Sequence, residues 1–232
     1  MKFKKKYFKN FENRQINLIT IDGITCSGKS LFANLLQKDL QNKFPDIFIL
    51  SKDLFLYPRE QRIRITKKLI KFNTNQNELH YDLKKLKKLL NFLFVDRKDM
   101  SLSLNNLYNR NTGKNDLKIN LNYNERRLVI FEGIYVNDDI KFLRKPSYKI
   151  LIIESVYESL SKKIKRIRDK KISIQLVVSE FARIHLKSFK KYINKNNFDI
   201  TFSGDKRNFH EIKNGKNIQL LDIENFIKKH IF

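Results

Sequence analysis

The 232-residue sequence contains one cysteine, three prolines, six glycines and no tryptophan. Its single cysteine, Cys26, excludes an internal disulfide framework and is typical of a reducing compartment. The scarcity of proline and glycine leaves no linker-like stretch, so we expect one domain over residues 1–232. No apolar run approaches the roughly 20 residues that cross a bilayer, and the basic N-terminus lacks the apolar block of a signal peptide. These absences predict a cytoplasmic protein with no membrane partner.

Acidic side chains are also scarce relative to basic ones. The chain has 24 Asp and Glu and 49 Lys and Arg, which gives a net charge of +25. An excess of this size is typical of proteins that bind nucleic acid. Here the lysines are spread along the chain among Ile, Asn and Phe, as an AT-rich coding sequence would produce, and no RNA-binding signature accompanies them. Nucleic acid is therefore not the expected partner, although a basic nucleic-acid-binding module stays open as an alternative. Assembly with further copies of the chain also stays open.

Short apolar runs alternate with segments of helical spacing. The runs predict buried strands at 16–21, 47–50, 128–131, 148–153 and 199–202. The helical spacing covers 29–41, 61–71, 82–94, 156–167, 173–193 and 223–231. Such alternation predicts an α/β fold with a mostly parallel sheet covered by helices on both faces. Residues 96–127 are polar and irregular apart from one short strand-like run, and we interpret them as a substrate-side insertion.

The stretch IDGITCSGKS, residues 21–30, lies between the first strand and the first helix. Gly23, Gly28, Lys29 and Ser30 satisfy the phosphate-loop pattern G-x-x-x-x-G-K-[ST]. In that pattern backbone N–H groups surround phosphates, the lysine reaches the terminal phosphates, and the hydroxyl is offered to Mg²⁺. A plain glycine turn is the alternative, but this spacing in strand-loop-helix context favours a nucleotide site. The expected nucleotide-binding residues are Gly23, Ile24, Thr25, Cys26, Ser27, Gly28, Lys29, Ser30 and Leu31.

Other candidate site residues follow the later strands, at the edge of the sheet where ligands bind in such folds. Asp53 could accept the proton of an attacking hydroxyl or hold a magnesium-bound water, or could be a helix-cap or turn aspartate. Glu132 could hold a metal ion, or could be a surface acid. Arg166 and Arg168 could stabilise a transferring phosphoryl group, or could form a solvated basic face. The four histidines show no ligand spacing, and we interpret them as surface or packing residues.

Six segments together resemble the uridine kinase and phosphoribulokinase family of P-loop small-molecule kinases. They occur in the family's order over about residues 16–205, and they read ITIDGITCSGKS, ILSKDLF, YDLKKL, LYNRNTGK, VIFEGIYV and LSKKIKRIRD. The resemblance implies a three-layer P-loop fold with a five-stranded sheet, ATP and Mg²⁺ as co-substrates, and a lid at about 162–175. It also implies Asp53 as the base, Glu132 with Ser30 at the metal, Tyr108 near the acceptor, and Arg166 and Arg168 in the lid.

The chain departs from the uridine kinase pattern at several positions that would contact uridine. Asn109 stands where an aspartate is typical, a histidine later in that loop is absent, and Glu180 aligns with a glutamine. These departures put uridine in doubt while the kinase interpretation stands. Arg59 and Arg62 follow Asp53, where they could meet an anionic or polyhydroxylated acceptor, or could be exposed residues at the start of a helix.

The sequence thus predicts an ATP-dependent kinase that phosphorylates a hydroxyl group of a small metabolite, either a nucleoside or a related sugar-like compound. The expected acceptor-binding residues are Asp53, Arg59, Tyr108 and Glu180. Nicotinamide riboside, pantothenate, glycerate and a nucleoside monophosphate stay open as acceptors on the same fold.

Overall fold

A computed structural model of the chain describes residues 17–44, 46–72, 77–94, 101–122, 128–144, 147–167, 172–205 and 208–230. Its centre is a six-stranded sheet with the order β2-β5-β1-β6-β7-β8. The strands are β1 (Leu18–Gly23), β2 (Ile47–Ser51), β5 (Leu128–Glu132), β6 (Tyr148–Ile153), β7 (Ile200–Asp205) and β8 (Asn208–Glu211). The first five of these run parallel, and β8 pairs antiparallel with β7 at one edge.

A separate two-stranded antiparallel hairpin is formed by β3 (Ser101–Tyr108) and β4 (Asn115–Asn122). The helices are α1 (Lys29–Leu40), α2 (Arg59–Lys71), α3 (Leu83–Phe94), α4 (Val136–Asp139), α5 (Val156–Ile167), α6 (Ile174–Glu180), α7 (Lys187–Lys195) and α8 (Gly215–His230). A π-helical stretch, Phe181–Leu186, joins α6 to α7, and a 3-10 turn, Lys52–Phe55, follows β2.

Helices cover both faces of the sheet because the central strands are apolar on both sides. On one face Ile19 and Ile21 pack against α1 through Phe32 and Leu36. On the other face the β6 residues Leu151 and Ile153 pack against α7 and α8, and the β5 residues Val129 and Phe131 pack against α3. A strand buried on both faces carries a continuous apolar run, as LVIF does in β5. The predicted α/β fold with a mostly parallel sheet is therefore confirmed.

The structure differs from the sequence predictions in three places. Residues 101–122 form the hairpin rather than an irregular insertion, and its Leu102 and Leu104 pack into the α3 core while most of β4 stays exposed. The sheet has a sixth strand, β8, which is too short at four residues to show a pattern. Helix α8 begins at Gly215, eight residues before the predicted start at residue 223. Its first turns were missed because Ile218 and Leu221 are exposed there, so these turns have no apolar stripe facing the core.

No helix in the described ranges is both long and apolar enough to cross a membrane. The expected lid, 162–175, and the expected insertion, 96–127, fall partly outside the described residues. Arg168 lies outside them. Their roles stay predictions.

Candidate active site

A cleft of about 490 Å³ opens at the carboxyl ends of β1, β2 and β5. Parallel strands bring these ends to one edge of the sheet, so residues far apart in the chain meet there. Its walls come from the loop before α1, the turn after β2, α2, the hairpin turn, α5 and α6. Of the predicted site residues, the following line it: Thr25, Cys26, Gly28, Lys29, Ser30, Leu31, Asp53, Arg59, Tyr108, Glu132, Arg166 and Glu180.

The loop between β1 and α1 has the backbone of a tight cradle. Gly28 has a φ of 91° and Cys26 a φ of 66°, in the left-handed region that favours glycine. A Cβ atom at Gly23 would lie 2.5 Å from the carbonyl oxygen of Ile152 and from the hydroxyl of Ser27. The first and second glycines of the pattern are therefore required for different reasons, the first by close packing and the second by backbone conformation.

Lys29 begins α1 and is buried with its ammonium group against the loop. Its Nζ donates hydrogen bonds to the carbonyl oxygens of Gly23, at 3.0 Å, and Ile24, at 2.7 Å. Burial lowers the pKa of Lys29, and the charges of Glu132 and Asp53 oppose that shift. The ammonium group is thus held at the mouth of the loop, next to two carboxylates.

Ser30 and Glu132 meet across the cleft although 102 residues separate them. The Ser30 hydroxyl donates a 3.0 Å hydrogen bond to Oε1 of Glu132, which ends β5. Burial and the nearby charge of Asp53 raise the pKa of Glu132, while Lys29 lowers it. A hydroxyl beside a carboxylate is the kind of hard oxygen pair that Mg²⁺ prefers.

No group of three His, Cys, Asp or Glu side chains with the geometry of a metal site occurs among the described residues. An ion held by Ser30 and Glu132 would therefore complete its coordination with water and substrate oxygens, as is usual for Mg²⁺.

Asp53 lies in the turn after β2 and pairs with an arginine that the sequence patterns did not single out. Nη2 of Arg110, in the turn of the β3–β4 hairpin, lies 2.5 Å from Oδ2 of Asp53. The Asp53 charge raises the pKa of Arg110. Arg110 directly follows Tyr108 and Asn109 in the quoted LYNRNTGK segment. The sequence therefore put Arg110 in a segment of interest, but it could not show that this side chain lies next to Asp53.

Arg62 and Tyr108 form the wall beyond Asp53. Nη2 of Arg62 donates to the Tyr108 hydroxyl at 2.7 Å, and its guanidinium carbon lies 4.7 Å from the Tyr108 ring centroid. Nε of Arg62 donates to the carbonyl oxygen of Tyr57 at 2.9 Å. Arg59 lies alongside, and its Nη2 donates to the carbonyl oxygen of Arg110 at 3.3 Å.

Glu180 is engaged by protein groups within the cleft. Lys163 donates to its Oε2 at 2.7 Å, and Thr66 donates to its Oε1 at 3.1 Å. Burial alone would raise the pKa of Glu180, but the charge of Lys163 holds it well below its usual range. The predicted acceptor residue Glu180 therefore lines the cleft as one member of a partly buried ion pair.

Two histidines interpreted as surface or packing residues also line this cleft. Burial lowers the pKa of His80 to about 4. Burial also lowers the pKa of His185. Nε2 of His80 lies 3.2 Å from the Thr66 hydroxyl. Both rings are thus neutral at pH 7, and neither adds charge to the cleft.

A buried lysine under the cleft was also missed. Lys52, next to Asp53, places its Nζ 3.0 Å from the carbonyl oxygen of Ile134 and 2.7 Å from Oδ2 of Asp139. It also lies 4.7 Å from the ring centroid of Tyr81. Lys52 therefore ties the turn after β2, which carries Asp53, to the segment that follows β5.

No family model matches the chain, and no curated protein matches it in sequence. Solved structures do match its fold. A possible uridine kinase from Bacillus stearothermophilus is 14% identical and superposes with a TM-score of 0.51 over 80% of this chain and 88% of that one. The D-glycerate 3-kinase from Cryptococcus neoformans is 13% identical, with a TM-score of 0.55 over 88% of this chain and 96% of that one.

At these identities the likeness shows the fold and leaves the activity open. The resemblance to the uridine kinase and phosphoribulokinase family is therefore confirmed at the level of the fold, which the chain shares with these two proteins. Neither similarity decides which acceptor this cleft holds.

Proposed function

We propose that the protein is an ATP-dependent kinase that transfers the γ-phosphoryl group of ATP to a hydroxyl group of a small, nucleoside-like or sugar-like metabolite. The observation that carries the proposal is the meeting of Lys29, Ser30, Asp53 and Glu132 in one cleft at the ends of three neighbouring strands. The fold shared with a possible uridine kinase and a D-glycerate 3-kinase supports it.

The phosphate loop would bind the β- and γ-phosphates of ATP through backbone N–H groups, with Lys29 turning from its loop carbonyls to the phosphate oxygens. Ser30 and Glu132 would hold Mg²⁺, which neutralises charge on the phosphates. Arg166 lines the same cleft from α5 and is exposed, which supports its proposed role of approaching the nucleotide. Arg168 is two residues further along and is proposed for the same lid role.

Asp53 is the proposed base. As the acceptor oxygen forms its bond to the γ-phosphorus, the bond from that phosphorus to the bridging oxygen of ADP breaks, and the acceptor proton passes to the Asp53 carboxylate. Tyr108, Arg59 and Glu180 line the same part of the cleft and would contact the rest of the acceptor.

A screen of ATP consumption over nucleosides, vitamins and sugar acids tests the proposal, with Lys29→Ala as the inactive variant. Lys38→Ala is the matched control, because Lys38 is exposed on the same helix and outside the cleft. We expect Lys29→Ala to lose turnover and remain folded, and Lys38→Ala to match the wild type. Equal rates in all three proteins would contradict the phosphate-loop assignment.

The competing nucleic-acid module makes a different prediction in the same samples. It requires RNA or DNA binding that weakens steeply with salt, together with no acceptor-dependent ATP turnover. Turnover that depends on an acceptor and on Lys29 would contradict it.

A further inference from the structure

The part of the cleft beyond Asp53 is rich in arginine. Three guanidinium groups, those of Arg59, Arg62 and Arg110, line it together with Tyr108. They come from α2 and from the hairpin turn, so the fold brings them together from separate segments. What this end of the cleft can bind depends on which of these charges the protein itself neutralises.

Three cations of the cleft have carboxylate partners. Arg110 pairs with Asp53, Lys163 pairs with Glu180, and Lys162 pairs with Glu154 and Glu158. Neither His80 nor His185 adds a charge, because burial lowers the pKa of both rings.

Arg59 and Arg62 form no ion pair with any carboxylate in the part of the chain that the structure describes. Their hydrogen bonds go to neutral acceptors, the carbonyl oxygens of Arg110 and Tyr57 and the hydroxyl of Tyr108. This end of the cleft therefore carries two uncompensated positive charges.

The Arg62 guanidinium is also held in one orientation. Its face lies over the Tyr108 ring, and the bonds from Nε and Nη2 use one side of the planar group. Its other N–H groups are left for a ligand, and a fixed planar fork matches the two oxygens of a carboxylate or a phosphate. Arg59 lies directly against Gly113 of the hairpin turn, since a Cβ atom there would lie 2.5 Å from its guanidinium carbon.

We propose that the phosphate acceptor carries an oxyanion, a carboxylate or a phosphate, that binds Arg62 and Arg59 while its hydroxyl group faces Asp53. The inference rests on the proposed kinase function. A neutral acceptor of the same shape would offer no counter-charge to either guanidinium group, so it would lose the charge-assisted hydrogen bonds that a carboxylate or phosphate makes there.

The test is an ATP-consumption assay on matched pairs that differ only in the charged group. Suitable pairs are glycerate and glycerol, pantothenate and pantothenol, and ribose 5-phosphate and ribose. We expect the charged member of the productive pair to have a kcat/KM at least about 100-fold higher than the neutral member. The carboxylate pairs and the phosphate pair distinguish the two sources of the oxyanion.

Variants of α2 identify the residue responsible. Arg62→Gln should raise KM for the charged acceptor at least about tenfold, with a smaller change in kcat. Arg62→Lys keeps the charge but loses the planar guanidinium fork, so its KM should lie between those of the wild type and Arg62→Gln. Arg64→Gln is the matched control, because Arg64 is exposed on the same helix and lies outside the cleft. Equal KM values in the Arg62→Gln and Arg64→Gln variants, with both folded, would overturn the inference.

A second measurement needs no turnover. Inorganic phosphate and malonate are titrated into the protein saturated with Mg²⁺ and a non-hydrolysable ATP analogue, so that the phosphate loop is already filled. We expect at least one anion to bind the wild type and the Arg64→Gln control, and to bind Arg62→Gln at least about tenfold more weakly. The inference would be overturned if Arg62→Gln bound the anion with the same affinity as the wild type, or if neither anion bound the wild type.

The failures of the two proposals are distinguishable. Preferred turnover of a neutral member overturns the anionic acceptor and leaves the kinase standing. If the ATP analogue does not bind, the kinase proposal fails, and the anion titration in the Lys29→Ala background still decides whether Arg62 holds an oxyanion.

Discussion

The guanidinium group of Arg110 lies 2.5 Å from the carboxylate of Asp53, across 57 residues of sequence. Arg110 belongs to the hairpin turn and Asp53 to the turn after β2. The hairpin is thus more than an insertion at the edge of the fold, because it brings a cation to the carboxylate that we propose as the base. An acceptor hydroxyl that approaches Asp53 would meet this ion pair.

Asp53→Asn keeps the size of the side chain and removes its charge. Because general-base assistance typically contributes about 10² to 10⁴ in rate, we expect kcat to fall by about that factor. Affinity for ATP, measured directly by titration, should change little, because the proton moves only when the hydroxyl attacks. A loss below about tenfold in single-turnover phosphorylation would remove Asp53 from this role. Asp39→Asn, outside the cleft on α1, is the control.

Glu132→Gln should raise the Mg²⁺ concentration that half-saturates the reaction by about tenfold or more, since an amide is a weaker ligand than a carboxylate. The measurement is a Mg²⁺ titration of initial rate at fixed ATP. Glu60→Gln, an exposed position on α2, should leave the curve unchanged. Superimposable curves for the Glu132 variant and the wild type would show that Glu132 does not act at the metal.

Lys52→Met tests the buried lysine beneath the cleft. The substitution removes the ammonium group that lies 2.7 Å from the Asp139 carboxylate, so we expect the free energy of unfolding to fall by about 3 kcal/mol. Activity of the folded fraction should also fall, because Lys52 links the segments that carry Asp53 and Glu132. Urea unfolding and kcat are measured beside Lys84→Met, an exposed site on α3. Equal stability of the two variants would contradict this prediction.

Asp22, directly before the phosphate loop, should make stability depend on pH. Burial raises its pKa from 3.8 to about 7, although Tyr192 and Val136 both donate hydrogen bonds to its carboxylate. Between those pH values the folded state holds a proton that the unfolded state releases, so the Asp22 contribution to stability falls as pH rises and is lowest above pH 7.

Urea unfolding of wild type and Asp22→Asn at pH 5 and pH 8 measures this contribution. We expect the wild type to lose about 2 kcal/mol relative to the variant between the two pH values. Groups such as His80, whose lowered pKa makes the folded state more stable at higher pH, contribute equally to the wild type and to Asp22→Asn. The difference in stability between the two proteins therefore isolates the contribution of Asp22. A stability difference that is the same at both pH values would contradict the prediction.

Much of the fold was predictable because it depends on local pattern. The apolar runs of β1, β5 and β6 are uninterrupted, since these strands are buried on both faces, and the order of strands and helices followed from them. The hairpin β3–β4 was not predictable in the same way. Its pairing joins polar strands in which only alternate residues such as Leu102 and Leu104 reach the core, and its β4 strand is largely exposed.

The sequence by itself determined the glycine-containing loop between β1 and α1, because Gly23, Gly28, Lys29 and Ser30 lie within eight residues and their backbone geometry is local. It also placed Asp53 and Glu132 at the ends of strands. Only the tertiary structure decided that Arg110 meets Asp53 and that Lys163 neutralises Glu180, whereas Arg59 and Arg62 have no carboxylate partner in the described chain. Charge compensation depends on distances between segments that meet only when the sheet, the hairpin and the helices pack together, and composition and spacing do not encode those distances.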